Sequence, residues 1–384
     1  MKIRTLNAEE FDASRDIRSR AFGPVSYDDW AETRRFVRPT LVAGRQYGGY
    51  ENGRLIATAR IHDLRQWWHG RAVSTGGVGG VAVAPEARGR GVGRRMMRDV
   101  LERCVEFGHA LAMLYPATTP LYRALGWEHA GAAYHAKFPT ESLRAVLSGS
   151  PAGLRRAGPG DAAEVAETIR RLHRDTAACG PIDWGDEMWR VFLEEEDDSY
   201  VYLADDGVLD YHWGPGGKGL QVETLLAGSQ ETLHALWAIV GSGSSTAASV
   251  EACLAPHDPV FWLPRERPDG EVHVTGWMLR VVDAPAAIEA RGYPAPVRAD
   301  VVLEIDDPNL PANSGTWRLA VEDGEGRLEP APGARAPVRL GIRGLSALYG
   351  GVPTATLRGA GLLEGHAPAL DAVFGATAYA LDEF

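Results

Sequence analysis

The chain has few cysteines and none of the common metal or nucleotide signatures. Its three cysteines, Cys104, Cys179 and Cys253, lie far apart and form no Cys-x-x-Cys pair. That excludes a disulfide framework and gives no support to a zinc site. The eleven histidines are scattered, with no His-Glu-x-x-His run and no paired metal spacing, so no metal is expected and His109 and His257 are read as structural or surface groups. No Gly-Lys-Ser/Thr follows the glycine-rich loop at 89–93, which excludes a P-loop there, and its glycines at 89, 91 and 93 do not have the Gly-x-Gly-x-x-Gly spacing of a dinucleotide fingerprint. No apolar run approaches the roughly 20 residues of a membrane helix. The opening residues MKIRTLNAEEFDASRDIRSR lack the apolar core of a signal peptide, and a cytoplasmic location is the expectation. A formal net charge of −11 has the wrong sign for phosphate-driven nucleic-acid binding.

What is present is an ordinary globular composition, 45% hydrophobic and 24% charged, in a chain long enough for two or three domains. The charge is unevenly placed. Residues 1–145 hold 22 Lys and Arg against 15 Asp and Glu, a formal +7, and the rest hold 18 against 36, a formal −18. A basic first part suits an anion and an acidic second part a cation, although surface charge of this kind also serves solvation alone.

Lys2–Leu6 reads as a strand, and Asn7 with Glu10 as a capping box opening a helix through Ala21. Residues 41–50 and 54–61 read as strands around an Asn52-Gly53 hairpin turn. The glycine-rich stretch 72–84 ends in a short buried strand, Val81–Val83, stopped by Pro85. Val92–Phe107 reads as a helix closed at Gly108, and 110–115 as another apolar strand. Strand, helix, strand in that order predicts a right-handed βαβ unit in a mixed sheet. Residues 153–174 echo the opening segment, and 232–254 again read as helix, turn and strand, without the Arg/Gly run of 88–94. After Gly276 come strands at 277–282, 299–305 and 316–321, and helices at 284–291, 341–349 and 367–374, an α+β module of about 100 residues.

The informative stretch is Val81-Ala82-Val83-Ala84-Pro85-Glu86-Ala87-Arg88-Gly89-Arg90-Gly91-Val92-Gly93-Arg94. Glycines let the backbone approach a ligand, and the free N–H groups and dipole at a helix start attract an anion. Arg88, Arg90 and Arg94 add charge, which suits a pyrophosphate. Taken alone, such a loop is also consistent with a tight strand-to-helix connection.

With its flanks, Arg88-x-x-Gly91-x-Gly93 after Val-x-Val-x-Pro resembles the acyl-CoA loop of GNAT-superfamily N-acetyltransferases. The resemblance implies that the backbone of Val81, Ala82 and Val83 holds the pantetheine arm and acetyl carbonyl. It implies that Gly89, Arg90, Gly91, Val92, Gly93 and Arg94, with Arg88, hold the pyrophosphate of acetyl-CoA, and that Ala117 and Thr118 border the cofactor. Leu121–Trp127 resembles the family's Tyr-x-x-x-Gly-aromatic element, making Tyr122 the candidate acid for the departing thiolate. Farther on, the segment Trp277–Tyr293, the Leu348-Tyr349-Gly350-Gly351 element and the ending Asp382-Glu383-Phe384 are similar to the enhanced intracellular survival (Eis) family.

That resemblance covers essentially the full length. It implies an α/β (α+β) fold with an N-terminal GNAT domain at 1–148, a second GNAT-like domain without its own CoA loop at 149–285, and a sterol-carrier-protein-like α+β domain at 286–384. It further implies a small cationic amine acceptor, aminoglycosides in particular, a homohexamer, and the α-carboxylate of Phe384 as the base. Glu383, Asp28 and Trp30 would face the acceptor. No nucleic-acid or membrane partner is expected. A non-catalytic CoA or lipid binder and an acetyltransferase of protein lysines remain as alternatives.

Overall fold

The computed structural model describes residues 1–144, 146, 152–194, 199–263 and 271–384. The chain divides into two compact units, one of Met1–Ala130, Gly276–Ala376 and Phe384, the other of Gly131–Thr275 and Thr377–Glu383. The expected junction at 148/149 lies outside the described residues, and the one at 285/286 falls inside the helix Ala284–Ala290.

The first unit begins with β1 (Lys2–Thr5), α1 (Ala8–Ala13), α2 (Arg15–Phe22), α3 (Tyr27–Val42), β2 (Gln46–Glu51), β3 (Arg54–Trp68), β4 (Arg71–Val83), α4 (Val92–Glu106), β5 (Leu111–Leu114) and α5 (Thr119–Arg123). The Asn7–Glu10 capping box is present in both directions. The single helix expected beyond it is two, because the Ser14 hydroxyl donates to the Phe11 carbonyl and competes with the backbone ladder. The strand expected over 41–50 starts only at Gln46. The apolar Leu41 and Val42 belong instead to α3, which is opened by a Ser26–Asp29 capping box. Asn52 and Gly53, both at positive φ (51° and 75°), make the hairpin turn as expected.

Strand order is β1-β2-β3-β4-β5, followed by the strand segment from Gly276 to Val281, which runs antiparallel to β5. β4 and β5 are parallel and joined by α4, the expected βαβ unit. Met96, Met97, Val100, Leu101 and Cys104 form the buried face of α4. β4 is longer than the sequence suggested, because the glycines at 76, 77, 79 and 80 lie within the strand. A Cβ on Gly77 would collide with Leu64 and meet the Phe384 ring at 3.1 Å, so neighbours occupy the space a side chain would need.

The same unit carries a five-stranded sheet in the order Glu325–Pro330, Gly315–Glu322, Ala299–Asp306, Val338–Gly341, Leu363–Gly365. Buried polar contacts tie it to the first sheet. Arg280 Nη2 meets both carboxylate oxygens of Asp307 at 2.8 Å, with both side chains fully buried. Glu128 accepts from Arg123 and from Arg343, each at 2.8 Å. Arg291 lies over the rings of Trp68, Tyr293, Tyr349 and Phe374.

In the second unit the strand Glu128–Pro139, which enters at Gly131, is followed by Ser249–Leu254, Leu220–Ala227, Gly207–Trp213, Ser199–Ala204 and Arg155–Arg156. Leu220–Ala227 and Ser249–Leu254 are parallel and joined by the helix Gln230–Ser242, so the βαβ motif recurs. Its core gathers Phe138, Leu236, Trp237 and Val240. Tyr379–Ala380 adds a short parallel strand against Ala132 and Ala133.

Candidate active site

β4 is hydrogen-bonded to β5 only from Thr75 to Gly77, opposite Leu111–Met113. From Val78 to Val83 the strand continues with no strand pairing on that side among the described residues, while β3 pairs its other edge as far as Val83. Main-chain groups without a strand partner therefore line this stretch, apart from the Gly80 and Val83 carbonyls, which accept from Thr58 Oγ1 and Arg88 Nε, and such groups are those that an extended ligand arm could pair. The register against β3 slips between Thr58 and Arg60, opposite Gly79–Ala82. Gly80 has φ +59°. The bulge turns the strand at the residues just before Val81.

After β4 and the turn Pro85–Ala87, the loop reaches α4 through Gly89 (φ +73°) and Gly91 (φ +74°). Gly91 is the N-cap, in the left-handed conformation and with no side-chain cap. The first helical bond of α4 is Arg95 N–H to Gly91 O. The N–H groups of Val92, Gly93 and Arg94 thus open the helix without intrahelical acceptors, at its positive end. Arg88 donates to the Val83 carbonyl at 3.2 Å, and Arg90 pairs with Glu51 at 2.7 Å. Arg94 is exposed and has no partner among the described residues. Val92 is buried beneath the loop. This part of the chain fits a pyrophosphate, with backbone donors in the first helical turn and a guanidinium beside them.

Tyr122 sits on α5 in the same apolar cluster as Ala82, Val92 and Met96. It is 5% exposed, and burial raises its phenol above the ordinary value, so it holds its proton at neutral pH. Ala117 and Thr118 are exposed ahead of α5, and Thr118 is an N-cap whose side chain makes no capping bond. The ring of Phe384 lies edge-on to His62 (5.8 Å between centroids) and to Tyr115 (5.9 Å), beside Gly77. The chain terminus is thus lodged against β3 and β4.

The other expected residues have different surroundings. Trp30 is buried, stacked on Phe11 at 4.9 Å, and its indole N–H is donated to Asp12 at 3.2 Å. It is a packing residue in a small cluster with Val37. Asp28 is exposed in the first turn of α3. Glu383 belongs to the second unit, where its carboxylate meets His135 Nε2 at 3.2 Å; this bond lowers the Glu383 pKa and raises that of His135.

The sequence reading missed His62, Tyr115 and two arginines. Arg18 and Arg60 are almost entirely buried. Arg60 donates through Nε to His62 Nε2 at 2.7 Å, which requires a neutral imidazole. Burial and the two arginines hold His62 in that form, well below its usual pKa. The available signal for Arg60 and His62 was their place beside the apolar Ala59 and Ile61 in the middle of a strand, on the side shared with Thr58 rather than with the exposed Asp63 and Arg65.

Models of known domain families match most of the chain. An acetyltransferase (GNAT) domain matches residues 2–130, another matches 180–281, and a sterol carrier protein domain matches 284–380. A solved GCN5-related N-acetyltransferase from Kribbella flavida is 42% identical over 100% of this chain and 98% of that one, with a TM-score of 0.94. The chain belongs to the GCN5-related N-acetyltransferases. The N-acetyltransferase Eis of Mycobacterium tuberculosis is 28% identical over 87% of this chain and 84% of that protein. The crystal structure of Eis1 from Mycobacterium abscessus, 22% identical over the whole of both chains, shares the fold with a TM-score of 0.78. The resemblance to Eis is therefore borne out, as are the tandem GNAT domains and the sterol-carrier-like domain. As a member of this family the chain is an N-acetyltransferase, and GNAT acetyltransferases draw their acetyl group from acetyl-CoA. No helix among the described residues is long and apolar enough to cross a membrane.

Proposed function

We propose that the protein transfers acetyl from acetyl-CoA to an amine of a small molecule by direct attack, at the unpaired edge of β4. The observation that carries this reading is the parting of β4 from β5 beyond Gly77, with the open first turn of α4 at the far end of the same strand. In this scheme the main chain of Val81, Ala82 and Val83 pairs with the pantetheine arm and stabilises the oxyanion of the tetrahedral intermediate. Gly89, Arg90, Gly91, Val92, Gly93 and Arg94, with Arg88, hold the pyrophosphate, and Ala117 and Thr118 border the arm. The amine nitrogen bonds to the acetyl carbon and the C–S bond breaks. Tyr122 gives its proton to the leaving sulfur, which suits a phenol that burial keeps protonated. The α-carboxylate of Phe384 takes the proton lost by the amine.

The cationic acceptor, with aminoglycosides as its leading class, and the homohexamer rest on the Eis resemblance. Asp28 remains a proposed acceptor contact. Trp30 can offer an acceptor no more than the little surface its packing leaves.

The test is thiol release from acetyl-CoA with aminoglycosides, simple polyamines and free amino acids as acceptors, with the native chain beside one carrying an extra C-terminal glycine. Turnover that collapses on adding the glycine supports the carboxylate base. Turnover that survives removes Phe384 from the chemistry, and absence of turnover with every amine counts against the proposed reaction. Light scattering of the purified protein decides the hexamer.

A further inference from the structure

Arg18 and Arg60 converge on one point of β4. A Cβ built on Gly80 would collide with Arg18 Nη2 and lie 3.0 Å from Arg60 Nη1, and one on Gly79 would lie 3.0 Å from Arg60 Nε and Nη2. The two side chains are on different elements, α2 and β3, yet both are more than nine-tenths buried. Neither has a carboxylate partner among the described residues. Arg18 Nη1 has no hydrogen-bond acceptor among the described residues. Arg60 meets His62, which is neutral, and both guanidiniums otherwise face rings: Arg18 those of Phe11 and Trp30, Arg60 that of Phe36.

Two buried like charges without a counter-ion are an unfavourable arrangement for a fold to maintain. Burial pushes the pKa of Arg18 down to about 10. That of Arg60 falls to about 9, through burial first and the charge of Arg18 second. Both remain cationic at neutral pH. The contrast within the same unit is informative: the buried Arg280 has Asp307, and the partly buried Arg123 and Arg343 share Glu128.

We propose that Arg18 and Arg60 form a carboxylate-binding subsite at Gly79 and Gly80, and that the acetyl acceptor is an amine that also bears a carboxylate, such as a free amino acid. A planar carboxylate matches the forked donors of guanidinium groups and would supply the missing acceptors. Gly80 directly precedes Val81, where the acetyl carbonyl is placed above. A carboxylate held at Gly80 therefore leaves an amine a few bonds away within reach of that carbonyl. The inference rests on the acetyltransferase reading and departs from its aminoglycoside clause, because a polycation without a carboxylate would bring further positive charge to two unpaired cations.

The experiment uses the full chain with saturating CoA and a panel of free L-amino acids, each beside its carboxamide. Thermal unfolding is read first, then thiol release from acetyl-CoA. At least one acid should raise Tm where its amide does not, and should bind at least about tenfold more tightly than the amide, as expected for charge-assisted hydrogen bonds to a carboxylate. The contrast should vanish in Arg60→Met and in Arg18→Met. Each of these variants removes an uncompensated charge. Should they not fold, the acid–amide contrast in the native chain decides.

Acids and amides that behave alike, a contrast that persists in both variants, or polyamines and aminoglycosides preferred to every amino acid would overturn the subsite. A Tm contrast without thiol release would uphold the subsite and count against the acetyl-transfer reading instead.

Discussion

Tyr122 and Asp382 show how burial sets the protonation of single residues. Tyr122 is buried, its phenol is raised above the usual value, and no side chain accepts its proton among the described residues. If it is the acid, Tyr122→Phe should lower kcat by roughly 10²–10⁴-fold with little change in Tm. The same substitution should abolish the fall in rate at alkaline pH, a limb that lies above the ordinary phenol value of about 10 because the shift is upward. An unchanged kcat would discard the role. Asp382, in the second unit, has its pKa pushed up to about 7 by burial first and then by the negative charges of Glu223 and Asp210. An undocked terminal segment would carry this carboxyl near its ordinary value of about 3.9. Docking therefore takes up a proton between those values, so the segment should hold more tightly as pH falls from above 7 toward 4. Hydrogen exchange of residues 377–383 should be better protected, relative to intrinsic rates, at pH 5.5 than at pH 8. The reverse order would contradict the assigned shift.

At the scale of elements, the two βαβ motifs differ at one end of one helix. α4 starts at Gly91 with no side-chain cap, whereas the helix Gln230–Ser242 starts at Ser229, whose hydroxyl accepts from Thr232 N–H at 3.2 Å. In the second unit the helix satisfies one of its own opening donors, and the Gly228-Ser229 connection has no arginine. In the first unit no N-cap side chain takes up those donors. Ser229→Ala should destabilise the second unit by about 1 kcal/mol, measured by denaturant unfolding, and leave the affinity for CoA unaltered. A loss of CoA affinity would show that the second helix start also binds the cofactor.

At the scale of the whole molecule, buried ion pairs fasten the sterol-carrier-like domain to the GNAT sheet within the first unit. The strand carrying Arg280 runs beside β5, and Asp307 follows the central strand of the second sheet. Asp307 also accepts from Asn313 at 2.9 Å and from the backbone of Asn309 and Leu310. Asp307→Ala would strand a fully buried guanidinium and should cost about 3–5 kcal/mol of stability in thermal or denaturant unfolding. Arg280→Met combined with Asp307→Leu should recover much of that loss, since it is the unpaired charge that is costly. A single substitution without effect would mean that water reaches the pair.

The local elements and the glycine–arginine loop ahead of α4 were legible in the sequence because they depend on short-range chemistry. The Asn7–Glu10 box, the Asn52-Gly53 turn, the α4 periodicity and the Arg88–Arg94 loop each involve residues a few positions apart. Two local patterns compete at Leu41 and Val42, which suit a strand or the end of α3; Leu41 packs partly on the cluster of Phe11, Trp30 and Val37, whereas Val42 is exposed at the end of the helix. The length of β4 was hidden for a related reason, since its glycines read as a loop until the neighbours that fill their side-chain space are known. Other features are set by contacts across long stretches of chain. The unpaired edge of β4 depends on where β5 stops, the Phe384 ring reaches Gly77 from the opposite end of the chain, and Trp30 is turned inward by Phe11. Arg18 and Arg60 lie 42 positions apart and read as ordinary surface charge. Only the tertiary structure buries both beside Gly80 without a counter-ion, because burial and charge pairing are properties of the packed chain rather than of its local sequence.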